Sequence, residues 1–305
     1  MFFKYFISFS KFIPTPSILV SSWKRIVSWY SSSLSLPPHT PPINQTITIL
    51  PSDGLYASLE LVCQWSARYQ VDGSHNHDHS MEVLFWLIQI LEKTPEDRRD
   101  PAMMLTAMHG AILHDVLDEK YMDRDSIDQY RASLYQHLLL VLPHPDDAVT
   151  LLYVMEGISY RKVVRTEGIC YPDWIPDAGK WYDIYHWIRQ ADLLASYNIA
   201  RMVEFRMRTV LSEEMETMWS TIVEDVHSLY RQRIARLLDR GLFVHDEARE
   251  IAEPLAYIAG IKIQLLSFQD HNIPLDIFRI VHHLEWTFLR TRILDLLGGD
   301  RIVAV

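Results

Sequence analysis

From about Asp53 onward, apolar positions recur at the three- and four-residue spacing of amphipathic helices, and no run of alternating β-branched residues bounded by hairpin turns interrupts them. The spacing predicts an all-α fold. Val83, Leu84, Leu87, Ile88 and Leu91 mark a helix running to about Glu92, with Asp78 as its expected cap and Thr94-Pro95 as its stop. A second helix covers Pro101 to Asp115, with proline in the first turn, where the missing N–H costs nothing. Further helices are expected over Ser126 to Val141, Asp146 to Ser159, Trp181 to Leu211, Glu213 to Arg240, Asp246 to Phe268 and Leu275 to Leu297. Arg165 to Gly179, with two prolines and two glycines, reads as a loop.

The first fifty residues break this pattern. They hold no Asp or Glu, carry Lys4, Lys11, Lys24 and Arg25, and pass through serines into Pro37-Pro38-His39-Thr40-Pro41-Pro42. The chain is therefore divided into an N-terminal extension over 1–52, disordered or targeting in character, a main helical domain over 53–268, and a C-terminal helical extension over 269–305. Phe2 to Phe12 is apolar but is interrupted by Lys4 and Lys11 and stopped by Pro14 and Pro16, too short for a membrane span, and no membrane partner is expected. Cys63 and Cys170 lie far apart without CxxC spacing, which fits a reducing compartment: a cytoplasmic location is expected, and the acid-poor start makes a mitochondrial one the alternative. Hydrophobic residues make up 49% of the chain, enough for a sizeable core, and the formal net charge of −10 argues against tracking a long nucleic acid.

Three helices carry ionisable residues on their apolar stripes. His79 shares a face with Val83, Trp86, Leu87 and Ile90, and so points inward. His114 follows Ala107, Gly110 and Ala111, small residues that let a neighbouring helix approach, and Asp115 adds a carboxylate beside it. Asp192 lies with Ile184, Ile188, Ala195 and Ile199. Burying that carboxylate unpaired would cost several kcal/mol. Two imidazoles and two carboxylates converging from three helices are satisfied together by one shared divalent cation, and nitrogen and oxygen donors without sulfur suit Mn²⁺, Co²⁺, Fe²⁺, Mg²⁺ or Zn²⁺. The plainer alternative is a separate hydrogen bond or ion pair for each residue.

These segments have a resemblance. His79-Ser-Met-Glu-Val83, then Ala111-Ile-Leu-His114-Asp115-Val-Leu-Asp118-Glu-Lys120-Tyr121, then Gln190-Ala-Asp192-Leu-Leu-Ala195 resemble the successive metal motifs of the HD superfamily, H…HD…D, whose fold is a helical bundle. Asp72-Gly73-Ser74-His75, the HDxxDxK form of the second motif, Ile158-Ser159-Tyr160 and Asn198-Ile199-Ala200-Arg201 are similar to a small group of bacterial-type HD phosphohydrolases linked to nucleotide pyrophosphohydrolysis. Tyr230 through Glu253 extends the likeness, which runs from about Leu55 to Leu255. The chain departs from that group at Asn76, where Asp is usual, and at Gln190, Leu193 and Ala195, where DADRLDA is usual.

The resemblance implies a metal-dependent phosphohydrolase in which His79, His114, Asp115 and Asp192 hold one divalent ion and water attacks phosphorus. Asp118 and Lys120 are the candidate catalytic groups, with a salt bridge between them as the plainer role; His75, Arg161 and Arg201 are the candidate substrate-binding groups. A small phosphorylated molecule, a nucleotide first of all, is the expected substrate. A two-iron HD oxygenase, which would draw further ligands from histidines such as His137, His144 or His186, and a non-catalytic HD-fold scaffold are the alternatives.

Overall fold

The computed structural model describes residues 52–71, 75–165, 168–209 and 215–266, so the expected extensions and the helix over 275–297 lie outside the described residues. The described chain is all-α. Its helices are α1 (Ser52–Arg68), α2 (His77–Lys93), α3 (Pro101–Leu113), α4 (Arg124–Val141), α5 (Asp147–Gly157), the single turn α6 (Tyr160–Val163), α7 (Lys180–Ala195), α8 (Ile199–Thr209), α9 (Met215–Gln232) and α10 (Asp246–Leu266). A two-residue antiparallel ribbon pairs Val164 with Ile169 and Arg165 with Gly168 inside the segment expected to be loop. Strands of two residues are too short to leave an alternating signature in the sequence.

Local chemistry sets the ends of these helices. Asn76, and not Asp78, caps α2: its Oδ1 accepts from the backbone N–H of Asp78 at 3.0 Å and of His79 at 3.4 Å. Thr94 closes α2 by donating its hydroxyl to the Ile90 carbonyl, just before Pro95. Asp100 caps α3, and Asp123 caps α4, each accepting from a backbone N–H at 2.8 Å. The helix expected over Trp181 to Leu211 is instead two, because Ser196, Tyr197 and Asn198 close α7 with tight turn bonds and the Asn198 side chain then accepts from the Arg201 N–H to start α8. Likewise, the expected helix ending at Arg240 stops at Gln232 and passes through a 3₁₀ turn over Ile234–Arg236.

Helices α2, α3 and α7 form the centre, with α1 against α2 and α3, α5 against α3 and α4, and α10 against α7 and α9. Their facing stripes, including Val83, Leu87, Ile90, Ala107, Ala111, Ile184 and Ile188, are removed from solvent. Gly110 decides how near α3 and α7 come: a Cβ there would overlap Ile188 Cδ1 and lie 3.0 Å from Leu151 Cδ1. Gly110 lies one turn before His114 on α3, and Ile188 one turn before Asp192 on α7. This close approach therefore sets the distance between the two ionisable residues. Gly110→Ala is expected to destabilise the fold by about 1–3 kcal/mol through overpacking. A melting temperature equal to that of the wild type would show that Ile188 yields freely.

A second buried polar cluster joins α1, α3 and α4, where the Ser58 hydroxyl lies 2.8 Å from both His109 Nδ1 and His137 Nε2. Burial, together with the His137 charge, pushes His109 down to about 3, so it stays neutral at ordinary pH. Among the described residues no helix is long and apolar enough to cross a membrane.

Candidate metal centre

Three elements deliver the cluster. His79 stands in the first turn of α2, His114 and Asp115 follow the last residue of α3, and Asp192 lies in the final turn of α7. His79 Nε2 is 3.2 Å from His114 Nε2, 3.4 Å from Asp192 Oδ1 and 3.5 Å from Asp115 Oδ2. His114 Nε2 is 3.3 Å from Asp115 Oδ2 and 3.9 Å from Asp192 Oδ1. Donor atoms bound at about 2.1 Å to one ion at right angles would be about 3 Å apart, so these separations fit a single coordination sphere. The His79, His114 and Asp192 donor atoms all lie within 4.8 Å of one another, as do those of His75, His79 and Asp115, and either buried group could hold a metal ion.

The imidazoles differ in how they are oriented. His114 donates from Nδ1 to the Ala111 carbonyl at 2.8 Å, which leaves Nε2 to face the cluster, the arrangement a ligating histidine needs. Arg201 donates to His79 Nδ1 and, at 2.8 Å, to the Ala195 carbonyl. A ligating imidazole keeps its proton on the other nitrogen, and a guanidinium cannot accept it, so Arg201 must release Nδ1 when His79 holds an ion through Nε2.

Electrostatics in the cluster separates the two histidines. Burial alone would depress His114, but the charge and hydrogen bond of Asp115 and the charge of Asp192 prevail and raise it to about 9. For His79, burial and the Arg201 charge outweigh Asp192 and Asp115, and it falls to about 3. Asp115 stays well below the usual carboxylate range despite burial, because His114 and His75 lie against it. Asp192 is likewise held down by the hydrogen bond from His79 and the charge of His114.

The cluster opens into a cleft of about 880 Å³. Among the described residues its walls carry Lys120, Arg131, Lys162, Arg201, Arg206 and Arg233, against Asp115, Asp118, Glu119, Glu156 and Asp192. Four of these cations are paired with carboxylates, Lys120 with Asp118, Arg131 with Glu156, Arg201 with Glu82 and Arg206 with Asp225, so the cleft is a mixed-charge surface with many guanidinium and ammonium donors in a chain of net charge −10. Arg233 lies over the Tyr160 ring at 4.2 Å on the same wall.

The predicted metal ligands His79, His114, Asp115 and Asp192 are thus brought together. Asp118 and Lys120 line the cleft and form their salt bridge, 2.9 Å from Nζ to Oδ2. His75 is turned to Asp115 and Lys120, and Arg201 to His79. Arg161 lies in α6, and its side chain is outside the described residues. His137 bonds Ser58, His144 is exposed, and His186 packs among Tyr171, Tyr182 and Tyr185, so none of the three joins either candidate metal group.

Glu82 is a part of the site that the sequence pattern does not single out. This carboxylate is buried one turn beyond His79, accepts from Asn198 Nδ2 at 3.1 and 3.2 Å, and lies 3.7 Å from Arg201 Nε. It ties α2 to the start of α8 and steadies the arginine beside His79. Its signal in the sequence was a charged residue three positions after His79, near the buried face of α2. Compared with family models, curated proteins and solved structures, the chain matches none.

Proposed function

We propose that the protein is a metal-dependent phosphohydrolase of the HD superfamily that acts on a small phosphorylated substrate, a nucleotide above all. The observation that carries this reading is the convergence of two imidazoles and two carboxylates from three helices in a cleft that also holds the Lys120 and Arg201 side chains. A divalent cation held by His79, His114, Asp115 and Asp192 would lower the pKa of water beside it and offset charge on phosphoryl oxygens. Lys120 and Arg201 supply donors suited to phosphate, and Asp118 is the carboxylate at the cleft wall suited to exchange a proton with water. The cleft volume is of the size that encloses a small organic ligand. The acidic chain disfavours a long polyanion, so mononucleotides fit better than nucleic acid.

The test is incubation with Mn²⁺, Co²⁺ or Mg²⁺ and a panel of nucleoside mono- and triphosphates, beside Asp192→Ala. Phosphate or pyrophosphate release should fall at least about a hundredfold in the variant, because the ion would lose a ligand from its sphere. Failure of ion-loaded wild-type protein to turn over any member would overturn the hydrolase reading in favour of an oxygenase or a scaffold.

A further inference from the structure

His75 occupies the turn just before the Asn76 cap of α2, and its ring is held between two others. It meets His79 edge-on at 5.8 Å and Tyr121 at 6.0 Å, and Tyr121 in turn packs edge-on against the buried Trp65. In this position His75 Nδ1 is 2.7 Å from Asp115 Oδ2, and Lys120 Nζ is 3.2 Å from His75 Nε2. Lys120 is itself fixed to Asp118 through both its Nζ and its backbone N–H.

An ammonium can only donate, so Lys120 takes the lone pair on Nε2 and the imidazole proton sits on Nδ1. That proton is donated to Asp115 Oδ2, the same oxygen that faces the Nε2 atoms of His79 and His114. The alternative, in which His75 binds the ion through Nδ1, would move the proton to Nε2 and point it at the Lys120 ammonium, donor against donor.

On the reading that the cluster binds a divalent ion, we propose that His75 and Lys120 form a positioning pair for Asp115, with Lys120 fixing the tautomer of His75 and His75 fixing the carboxylate against the ion, and that His75 is not itself a ligand. Asp115 follows the end of α3, where the helix gives way to tight turns closed by Val116 N–H on the Leu113 carbonyl and Asp118 N–H on the Asp115 carbonyl, bonds that hold the backbone and leave the carboxylate to side-chain partners. The hydrogen bond from His75 supplies such a partner: one lone pair of Oδ2 is taken by the imidazole N–H and another is left for the ion. Partners of this kind around a ligating carboxylate usually alter metal affinity by about ten- to a hundredfold.

The experiment titrates the full chain with Mn²⁺ as wild type, His75→Ala, His75→Asn and Lys120→Met, and counts imidazole nitrogens around bound Mn²⁺ by electron spin-echo methods. Two imidazoles are expected in every protein. His75→Ala should weaken Mn²⁺ binding by about ten- to a hundredfold, whereas His75→Asn, whose amide N–H can occupy the place of Nδ1–H, should recover most of that loss. Lys120→Met should fall between them. Three imidazoles in the wild type and two in His75→Ala would overturn the proposal by making His75 a ligand. Equal Mn²⁺ affinity in wild type and His75→Ala, or no recovery in His75→Asn when both variants melt as the wild type does, would overturn it as well. Wild-type protein that binds no Mn²⁺, Co²⁺ or Zn²⁺ would instead remove the metal reading on which the pair depends.

Discussion

Asp115→Ala is expected to abolish measurable binding of a divalent cation and to lower the stability of the cation-free protein by about 3 kcal/mol. The first effect follows from geometry, since Asp115 Oδ2 lies 3.5 and 3.3 Å from the facing nitrogens of His79 and His114 and 2.7 Å from His75 Nδ1. The second follows from charge. With His114 raised to about 9, the cation-free cluster at neutral pH holds an imidazolium buried beside two carboxylates, and removing the nearer one leaves that charge poorly compensated. Breaking such a pair costs about 3–5 kcal/mol; the Asp115 side chain is still 19% exposed, so the lower end applies. In a domain of this size that is roughly 6–12 °C in melting temperature. Cation content by elemental analysis and melting in chelator measure the two effects separately. An unchanged cation content would remove Asp115 from the ligand set.

Cation affinity should rise with pH, by about tenfold per unit between pH 6 and 8. His114 Nε2 must shed its proton to bind an ion, and with that group at about 9 each binding event in this window releases one proton. His79, at about 3, is already neutral and releases none. The same shifts fix the sign of the stability change. In the cation-free protein the folded value of His114 lies above its unfolded value, so its contribution is fully present below about pH 6.5 and is lost as pH rises through 9. His79 acts oppositely, with a depressed folded value that costs stability as pH falls from about 6.5 toward 3. Between pH 6.5 and 9 the stabilisation conferred by the ion should therefore widen by up to about 1.4 kcal/mol per pH unit. Calorimetric titrations in buffers of different ionisation enthalpy count the protons directly, and a pH-independent affinity would show that His114 is neutral or is not a ligand.

The fold class and the four converging residues could be read in the sequence because each breaks a local rule: a charge or an imidazole on an otherwise apolar helical stripe has to be satisfied by something distant. That some helix approaches α3 closely could be read in Ala107, Gly110 and Ala111, because small side chains leave room; that the neighbour is α7 could not. What escaped was whatever depends on which turn faces which. Asp78 and Asn76 are equally good capping residues, and only backbone geometry shows that Asn76 accepts the bonds. The helix over Trp181 to Leu211 looked continuous because its apolar spacing runs across Asn198, whose side chain turns out to serve two ends at once, accepting from Arg201 N–H and donating to Glu82. The links from His75 to Asp115 and from Lys120 to His75 join residues 40 and 45 positions apart, and no periodicity announces such contacts.

The placement of the ligands along their helices has a further effect. His114 is the C-terminal cap of α3, and Asp192 sits in the last turn of α7, so two helices point their C-terminal ends, the negative ends of their dipoles, toward the cluster. Of the three helices that carry the four residues, α2 alone presents its N-terminal end, through His79. The dipoles of these three helices thus tilt the balance at this spot in favour of a cation, each helix end contributing about 0.3–1 kcal/mol. The opposite shifts of His114 at a C-terminus and His79 at an N-terminus run in the same sense as this bias. A cation arriving there meets a field that neutralising the carboxylates would weaken but not erase.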